Sequence, residues 1–352
     1  MTMHNQSPAA TETFSRLHLN ENPLGASPNA MAAAELALRD INRYPDPAHT
    51  GLIRAIARRR AVDEARIAVG NGVDEVILMI ALAFRAESRL VLLNSQTFQV
   101  YARSVRAVGL PSIEQPLRDY RIDVERVVAS FAEGVRLAFV CNPHNPTAAL
   151  LCEEEVHSLC AAAQRHDAVV VFDEAYAEYV PEQDFASAIP RAAAGRNVCV
   201  MRTFSKAYGL GGLRVGYLIG DPDVIARINK VQSAFPFHVN RIAQAAAEVA
   251  LADEEFLERT RTSNRDARDL LCRGLDELGV EHLPSKTNFV LIRLPGLGSH
   301  VAETLRRADR TLVRDTADLG LVDYLRVSVG SADEVVSFLR KLEKVLHQQR
   351  DT

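Results

Sequence analysis

The sequence predicts an α/β protein, with a largely parallel sheet covered by helices on both faces and a smaller α+β domain after it. Three observations carry this. Short, continuously apolar runs alternate with amphipathic stretches through the middle of the chain, and a strand that is apolar on both faces is one buried on both faces. The 352 residues exceed what one small domain needs. After about Asp221 the alternation gives way to long helical stretches and then short strands.

The apolar runs predict strands at Ile67–Val69, Leu90–Leu93, Leu137–Cys141, Val169–Phe172, Val198–Met201 and Val215–Ile219. Between them, Val73–Phe84 and Cys152–His166 have the spacing of amphipathic helices. In the later part, Glu248–Leu257 and Thr262–Leu278 read as helices. Asn288–Leu294, Thr311–Arg314 and Tyr324–Val329 read as short strands, and Asp333–Leu346 as a closing helix. The Leu17–Asn20 segment and a helix from Asn29 to Arg39 are expected beside that smaller domain. The predicted division is therefore an N-terminal segment, 1–44, a large domain, 45–247, and a small C-terminal domain, 248–352. Polar residues of interest follow strands, which gathers them at the carboxyl edge where open α/β sheets bind ligands.

Composition narrows the function class. Hydrophobic residues are 47% and charged residues 24%, the mix of a globular protein. A net charge of -4 gives no electrostatic case for nucleic acid or an anionic membrane. No apolar run approaches membrane-spanning length. The start, Met1-Thr-Met-His-Asn-Gln-Ser7, lacks a basic patch followed by an apolar stretch, so a cytoplasmic location is expected. The five cysteines are scattered without a Cys-x-x-Cys pair, which predicts free thiols and no metal site.

Lys206 is the leading candidate for chemistry. It lies in Arg202-Thr203-Phe204-Ser205-Lys206-Ala207-Tyr208-Gly209, after an apolar strand and entering a glycine-rich turn. Asp173 ends the apolar run Ala168-Val-Val-Val-Phe-Asp173. An amine that forms an imine with an aldehyde cofactor, plus a carboxylate that keeps a pyridine nitrogen protonated, are the two groups pyridoxal phosphate chemistry needs. Singly, such a lysine is usually a solvated surface residue and such an aspartate a turn residue; the set is what counts. Tyr176, three residues after Asp173, suits a phenol donor on the same ring, and Asn145 in Asn142-Pro143-His144-Asn145-Pro146-Thr147 suits an amide contact to a ring oxygen. Gly70-Asn71-Gly72-Val73-Asp74-Glu75 opens a helix, whose free N–H groups cradle a phosphate. Arg214, Ser205 and Thr203 add donors, and Phe98 is placed to stack on a flat ring.

These residues, with further motifs along nearly the whole chain, resemble the fold type I pyridoxal phosphate-dependent aminotransferases, and among them the histidinol-phosphate aminotransferase family. The motifs are Leu19-Asn-Glu-Asn-Pro-Leu-Gly25, Arg43-Tyr-Pro-Asp-Pro47, Val69-Gly-Asn-Gly72 with Asp74-Glu75, the Asn142–Thr147 run, Phe172-Asp-Glu-Ala-Tyr176, Arg202–Gly209 through Gly212-Leu-Arg-Val-Gly-Tyr217, Pro284-Ser285 with Asn288-Phe289, and Leu325-Arg-Val-Ser-Val-Gly330. The resemblance implies a mostly parallel sheet of the seven-stranded type. It implies pyridoxal 5'-phosphate as cofactor, with Lys206 carrying the imine and moving protons, Asp173 on the pyridine N–H, Tyr176 and Asn145 on the ring hydroxyl oxygen, and Phe98 on the ring face. Gly72, Val73, Asp74, Thr203, Ser205 and Arg214 are implied around the phosphate. Tyr44 is implied to reach the phosphate of a neighbouring subunit in a homodimer. Arg326 is implied at the substrate α-carboxylate, Arg314 at its distal phosphate, and Asn22 among the substrate contacts; no metal is implied. The chain departs from the family pattern at His144, Ala148, Gln96 and Gly211.

The implied reaction moves an amino group from histidinol phosphate or a related amino acid to 2-oxoglutarate. An aromatic or specialised aminotransferase and a phosphothreonine-type decarboxylase of the same fold stay open. A regulatory protein without turnover is disfavoured by the intact Lys206, Asp173 and Arg326. A nicotinamide oxidoreductase is disfavoured because no Gly-x-Gly-x-x-Gly follows the first strand.

Overall fold

Branched apolar residues form most of the strands. The computed structural model describes residues 14–87 and 89–350, so positions 1–13 of the predicted N-terminal segment, and 351–352 of the predicted C-terminal domain, lie outside the described residues. In chain order the strands are β1 (Ser15–Leu17), β2 (Ile67–Gly70), β3 (Leu90–Asn94), β4 (Ser112–Gln115), β5 (Val135–Cys141), β6 (Val169–Asp173), β7 (Val198–Thr203), β8 (Gly216–Gly220), β9 (Phe289–Arg293), β10 (Thr311–Asp315) and β11 (Tyr324–Ser328). A seven-stranded sheet has the order β2-β8-β7-β6-β5-β3-β4 and a four-stranded sheet the order β1-β10-β11-β9. In the larger sheet β8 runs antiparallel to both neighbours and the remaining pairings are parallel.

Alternation along the strands feeds two cores. Val170 and Phe172 of β6 enter the core on one face, Val169 and Val171 the core on the other. Burying each such side chain contributes about 1.5–3 kcal/mol, which is why the central strands tolerate no polar residue until their ends. A third core, including Val290, Ile292, Leu325, Val327 and Phe338, lies under the smaller sheet.

The structure departs from the sequence reading in four places. β4 escaped it because three of its four side chains are exposed and it forms a sheet edge, so no apolar run marks it. β8 starts at Gly216 and runs antiparallel. The expected helix Glu248–Leu257 is broken: one helix, Arg241–Ala250, ends and another, Glu254–Glu277, begins, with the Asp253 carboxylate accepting the Phe256 N–H as its cap. The helix near residues 29–39 spans Pro28–Leu38, and its main partner is a helix rather than the smaller sheet. Its buried face is Ala30 and Ala34, which meet Ala243, Ala246 and Ala247 of the Arg241–Ala250 helix; small side chains on both partners let the helices approach. β1 does join the smaller sheet, pairing with β10. Residues 18–27 therefore cross from one layer to the other.

That crossing passes over one edge of the larger sheet. Gly70, Asn94, Cys141, Asp173 and Thr203 end β2, β3, β5, β6 and β7 there. Gly216 pairs with both Gly70 and Thr203 at the same edge, so the antiparallel strand delivers Arg214 to it. Behind this edge Arg202 is buried between Glu174 (2.5 Å) and Glu178 (2.7 Å), and Arg60 reaches Glu178 at 2.8 Å. This fully paired network ties the end of β6 to the end of β7.

Candidate active site

A cavity of about 390 Å³ opens at this edge, roofed by the smaller sheet and the crossing segment. At one end is an anion cup. The helix Val73–Phe84 starts there, and the first-turn N–H groups of Val73 and Asp74 have no intrahelical partner. Gly72 has φ +83°, and a Cβ on it would come within 2.5 Å of the Arg214 Nη2, so only glycine suits that position. The turn before it is fixed by Glu75, whose Oε2 accepts the Asn71 N–H at 2.5 Å and faces His238 Nδ1 at 2.5 Å. The Arg214 guanidinium donates to Ser205 Oγ (3.3 Å), Gly211 O (3.0 Å) and Asp74 Oδ2 (2.9 Å). Thr97 Oγ1 lines the cavity, buried without a protein partner. Helix N–H groups, a guanidinium and hydroxyls form a donor set that fits a phosphate.

At the centre stand the groups expected around a ring. Lys206 Nζ donates to Leu19 O at 2.7 Å and lies 5.9 Å from the centre of the Tyr176 ring. Burial, then the Arg326 charge, lowers its pKa to about 8, so a substantial fraction is free amine at mildly alkaline pH. The Tyr176 hydroxyl accepts from Asn20 Nδ2 (3.1 Å) and Asn145 Nδ2 (3.3 Å), which leaves its own proton to donate. Thr203 Oγ1 accepts the Ser205 N–H at 3.1 Å and so shapes the turn carrying Lys206. Gly209 in that turn has φ +68°, and a Cβ there would lie 1.9 Å from Gly25 O. Phe98 lines the same cavity.

Asp173 is buried, and burial raises its carboxyl pKa to about 6. The ordinary value is 3.8, so the unfolded chain releases this proton first as pH rises. Stability is therefore lost between about pH 4 and 6 and the full penalty stands above pH 6, about 3 kcal/mol for a shift of this size. Cofactor-free Asp173→Asn protein is expected to resist urea better than cofactor-free wild type at pH 7.5, by up to about 3 kcal/mol, with the two curves converging near pH 4. Equal stabilities at pH 7.5 would show that the carboxylate is not penalised. A cation brought beside the Asp173 carboxylate would offset this penalty.

At the far end, Arg314 and Arg326 are direct register partners on β10 and β11. Like charges so placed repel. Arg314 is neutralised by Asp318, with contacts of 2.8 and 2.7 Å. Arg326 is 9% exposed and, among the described residues, donates only to neutral oxygens, Asn145 Oδ1 (2.6 Å) and His18 O (2.6 Å), while its buried Nε finds no partner among them.

Not every expected residue reaches the cavity. Asn22, expected as a substrate contact, does not line it: its amide is taken by Ala207 O (2.9 Å) and Thr260 Oγ1 (3.2 Å). Asn20, two residues earlier, occupies the cavity instead, with φ 55° and its side chain on Tyr176. Tyr44 lies outside, 77% exposed and stacked on Phe237 with centroids 4.6 Å apart. Gly72 shapes the cup without lining the cavity. Residues not singled out from sequence also line the cavity, Asn20, His18 and Arg103, and Tyr101 beside it donates to Asp173 Oδ2 at 2.5 Å. A phenylalanine neighbour three residues before Tyr101 was the available signal. Among the departures, His144 is buried and turned to Thr147 Oγ1 (2.9 Å), away from the cavity. Gln96 has φ 56°, which proline cannot adopt, and Ala148 has φ 62°, where glycine is at ease. Among the described residues no group of His, Cys, Asp and Glu has metal-site geometry.

Comparison with known proteins agrees with this geometry. The model of the family described as aminotransferase class I and II matches residues 13–342. Histidinol-phosphate aminotransferase 1 of Thiobacillus denitrificans is 40% identical over 331 residues, covering 94% of this chain and 85% of that protein. The structure of histidinol-phosphate aminotransferase from Sinorhizobium meliloti in complex with pyridoxal-5'-phosphate superposes with a TM-score of 0.88 at 28% identity, covering 95% of this chain and 91% of that one. L-threonine-O-3-phosphate decarboxylase from Porphyromonas gingivalis superposes at 0.82 with 26% identity, covering 95% and 99%. With the phosphate cup, the buried carboxylate and the lysine of lowered pKa on one sheet edge, the chain belongs to the class I and II aminotransferases and is a fold type I, pyridoxal phosphate-dependent enzyme.

Proposed function

We propose that this enzyme moves the amino group of a phosphorylated amino donor, histidinol phosphate in the first instance, to 2-oxoglutarate, and does so as a homodimer. The observation that carries the substrate half is Arg326, a buried guanidinium facing Arg314 with no carboxylate of its own. A buried guanidinium without a carboxylate is costly, and an anion joining it in the cavity would offset that cost. Histidinol phosphate has no α-carboxylate, so its phosphate is the group for this pair of arginines; the flat carboxylate of the oxo acid suits Arg326 in the return half.

Bound pyridoxal phosphate supplies the aldehyde and a protonated ring that accepts the electrons of the broken C–H bond. Lys206 is the amine that would hold the aldehyde, and its Nζ would carry the substrate's α-proton. Asp173 holds the ring proton. Tyr176, its hydroxyl free to donate, meets the ring oxygen together with Asn145. Phe98 covers one ring face. Val73, Asp74, Ser205 and Arg214 hold the phosphate, and Thr203 keeps the lysine turn in shape. Orientation of the breaking bond follows from fixing both ends of the substrate.

The test is a donor panel with 2-oxoglutarate: histidinol phosphate, aromatic amino acids and O-phosphothreonine, with glutamate and carbon dioxide both measured. Glutamate formed fastest from histidinol phosphate supports the reading. Aromatic donors preferred over it would overturn the substrate half. Carbon dioxide released without glutamate favours the decarboxylase.

Tyr44 belongs to the dimer half of the proposal. It shares an exposed apolar patch with Ile41 and Phe237, the composition of a surface that a second copy covers. From there it is assigned to the neighbour's phosphate. Inactive Lys206→Ala subunits mixed with impaired Tyr44→Phe subunits are expected to regain activity, because each heterodimer then has one intact site. No recovery in a verified heterodimer counts against shared sites. The free cysteines and the absence, among the described residues, of a helix long and apolar enough to cross a membrane fit the cytoplasmic part of the reading.

A further inference from the structure

Tyr101 sits on the helix Val100–Ala107, just after β3, and is 1% exposed. Its hydroxyl donates to Asp173 Oδ2 at 2.5 Å, while the Ala175 N–H occupies Oδ1 at 3.1 Å. Its ring stacks on Phe139 of β5 (5.2 Å, 13°) and meets Phe98 edge-on (5.6 Å, 84°). One side chain thus touches both the carboxylate assigned to the ring nitrogen and the phenylalanine assigned to the ring face. We propose that Tyr101 is a positioning residue: its hydroxyl holds the Asp173 carboxylate charged and aimed into the cavity, and its ring braces Phe98. The proposal rests on the assignment of Asp173 to the ring nitrogen.

The physical need is specific. Burial favours the neutral acid, and the charges of Asp74, at the start of the helix Val73–Phe84, and of Glu174, the first residue after β6, push the same way. The Cys141 thiol on β5 gives no help, since burial keeps it neutral and it faces Pro143 O at 3.3 Å. Tyr176 follows β6 with its own pKa raised by burial, and Lys206 and Arg326 face the cavity without a hydrogen bond to Asp173. The Tyr101 hydroxyl is the strongest influence in the opposite direction, ahead of the Ala175 N–H. A phenol bound to a carboxylate favours the charged form. A phenylalanine would fill the same volume without the hydroxyl.

Tyr101→Phe holoenzyme is expected to bind pyridoxal phosphate about tenfold more weakly, the cost of one hydrogen bond to a charged group. The pH midpoint of the cofactor's visible absorbance should move upward by about half a unit or more. The reason is that a more basic Asp173 takes a larger share of the ring proton, so the attached lysine nitrogen keeps its proton to higher pH. In an Asp173→Asn background the same change should alter affinity by less than about twofold, because the partner is already neutral. Phe139→Leu is the packing control: it should lower the melting temperature and leave the absorbance midpoint in place. Equal effects of Tyr101→Phe in both backgrounds, an unmoved midpoint, or a Phe139→Leu protein that shifts the midpoint as far, each overturns the proposal. Asp173→Asn alone behaving like wild type in affinity and midpoint overturns the underlying assignment of Asp173 first, a result distinct from the others.

Discussion

Lys206→Ala protein is expected to keep its fold and lose transamination by about 10⁴-fold or more, the scale of a missing proton-transfer group compounded by a missing nucleophile. The side chain's recorded hydrogen bond is to Leu19 O, and it makes no ion pair, so its removal unpairs no buried charge. Burial lowers its pKa to about 8 from 10.5. In the folded protein the ammonium is thus disfavoured below about pH 8, and the stability it withholds returns only as pH rises from there through the unfolded value. The cofactor-free alanine variant should therefore melt no lower than cofactor-free wild type at pH 7. Borohydride reduction followed by peptide mass analysis reads the chemistry directly. In wild type it should fix the cofactor on the peptide containing Lys206, and in the variant on none. A variant that transaminates at near wild-type rate, or cofactor fixed on another lysine, would remove Lys206 from its role.

The strands that build this edge were legible because each combines an apolar run with an abrupt polar end. Val169–Phe172 then Asp173, and Val198–Met201 then the Lys206 turn, state both the strand and its functional terminus. The helix Val73–Phe84 was legible to the residue, since Gly72 bounds it on one side and its apolar spacing is regular. What stayed hidden depends on neighbours distant in sequence. β4 gains its place from pairing with β3, while its side chains face solvent. The break at Asp253 is a single capping carboxylate inside a helical composition. Asn20 and Asn22 share one motif, and only the fold shows that the first turns to Tyr176 while the second ties down the Lys206 turn. Tyr101 reads as an ordinary core aromatic, because its partner Asp173 is seventy-two residues away. The stacking of exposed Tyr44 on Phe237, far along the chain, is not encoded in any local pattern.

Arg326→Lys is expected to reduce kcat/KM for every amino-acid and oxo-acid partner, glutamate and 2-oxoglutarate included, by about 30-fold or more, from the 2–5 kcal/mol that losing a partner of a buried hydrogen-bonded charge pair costs. The fixed guanidinium presents parallel donors to a flat carboxylate, and two of its nitrogens are already braced by Asn145 and His18; an ammonium on a flexible stem reproduces neither feature. Arg314→Gln should act differently. Arg314 is partly exposed and held by Asp318, so its loss should leave glutamate nearly untouched and weaken a phosphorylated donor by about tenfold. It should also relieve the repulsion across the β10–β11 pair, so the variant should not melt below wild type. Kinetics of both variants with glutamate and with histidinol phosphate separate the roles. Unchanged 2-oxoglutarate turnover in Arg326→Lys would move the carboxylate contact to another residue. Unchanged histidinol phosphate turnover in Arg314→Gln would remove the distal phosphate from Arg314, leaving the aminotransferase chemistry at Lys206 and Asp173 intact, because those groups stand at the centre of the cavity and the arginine pair at its end.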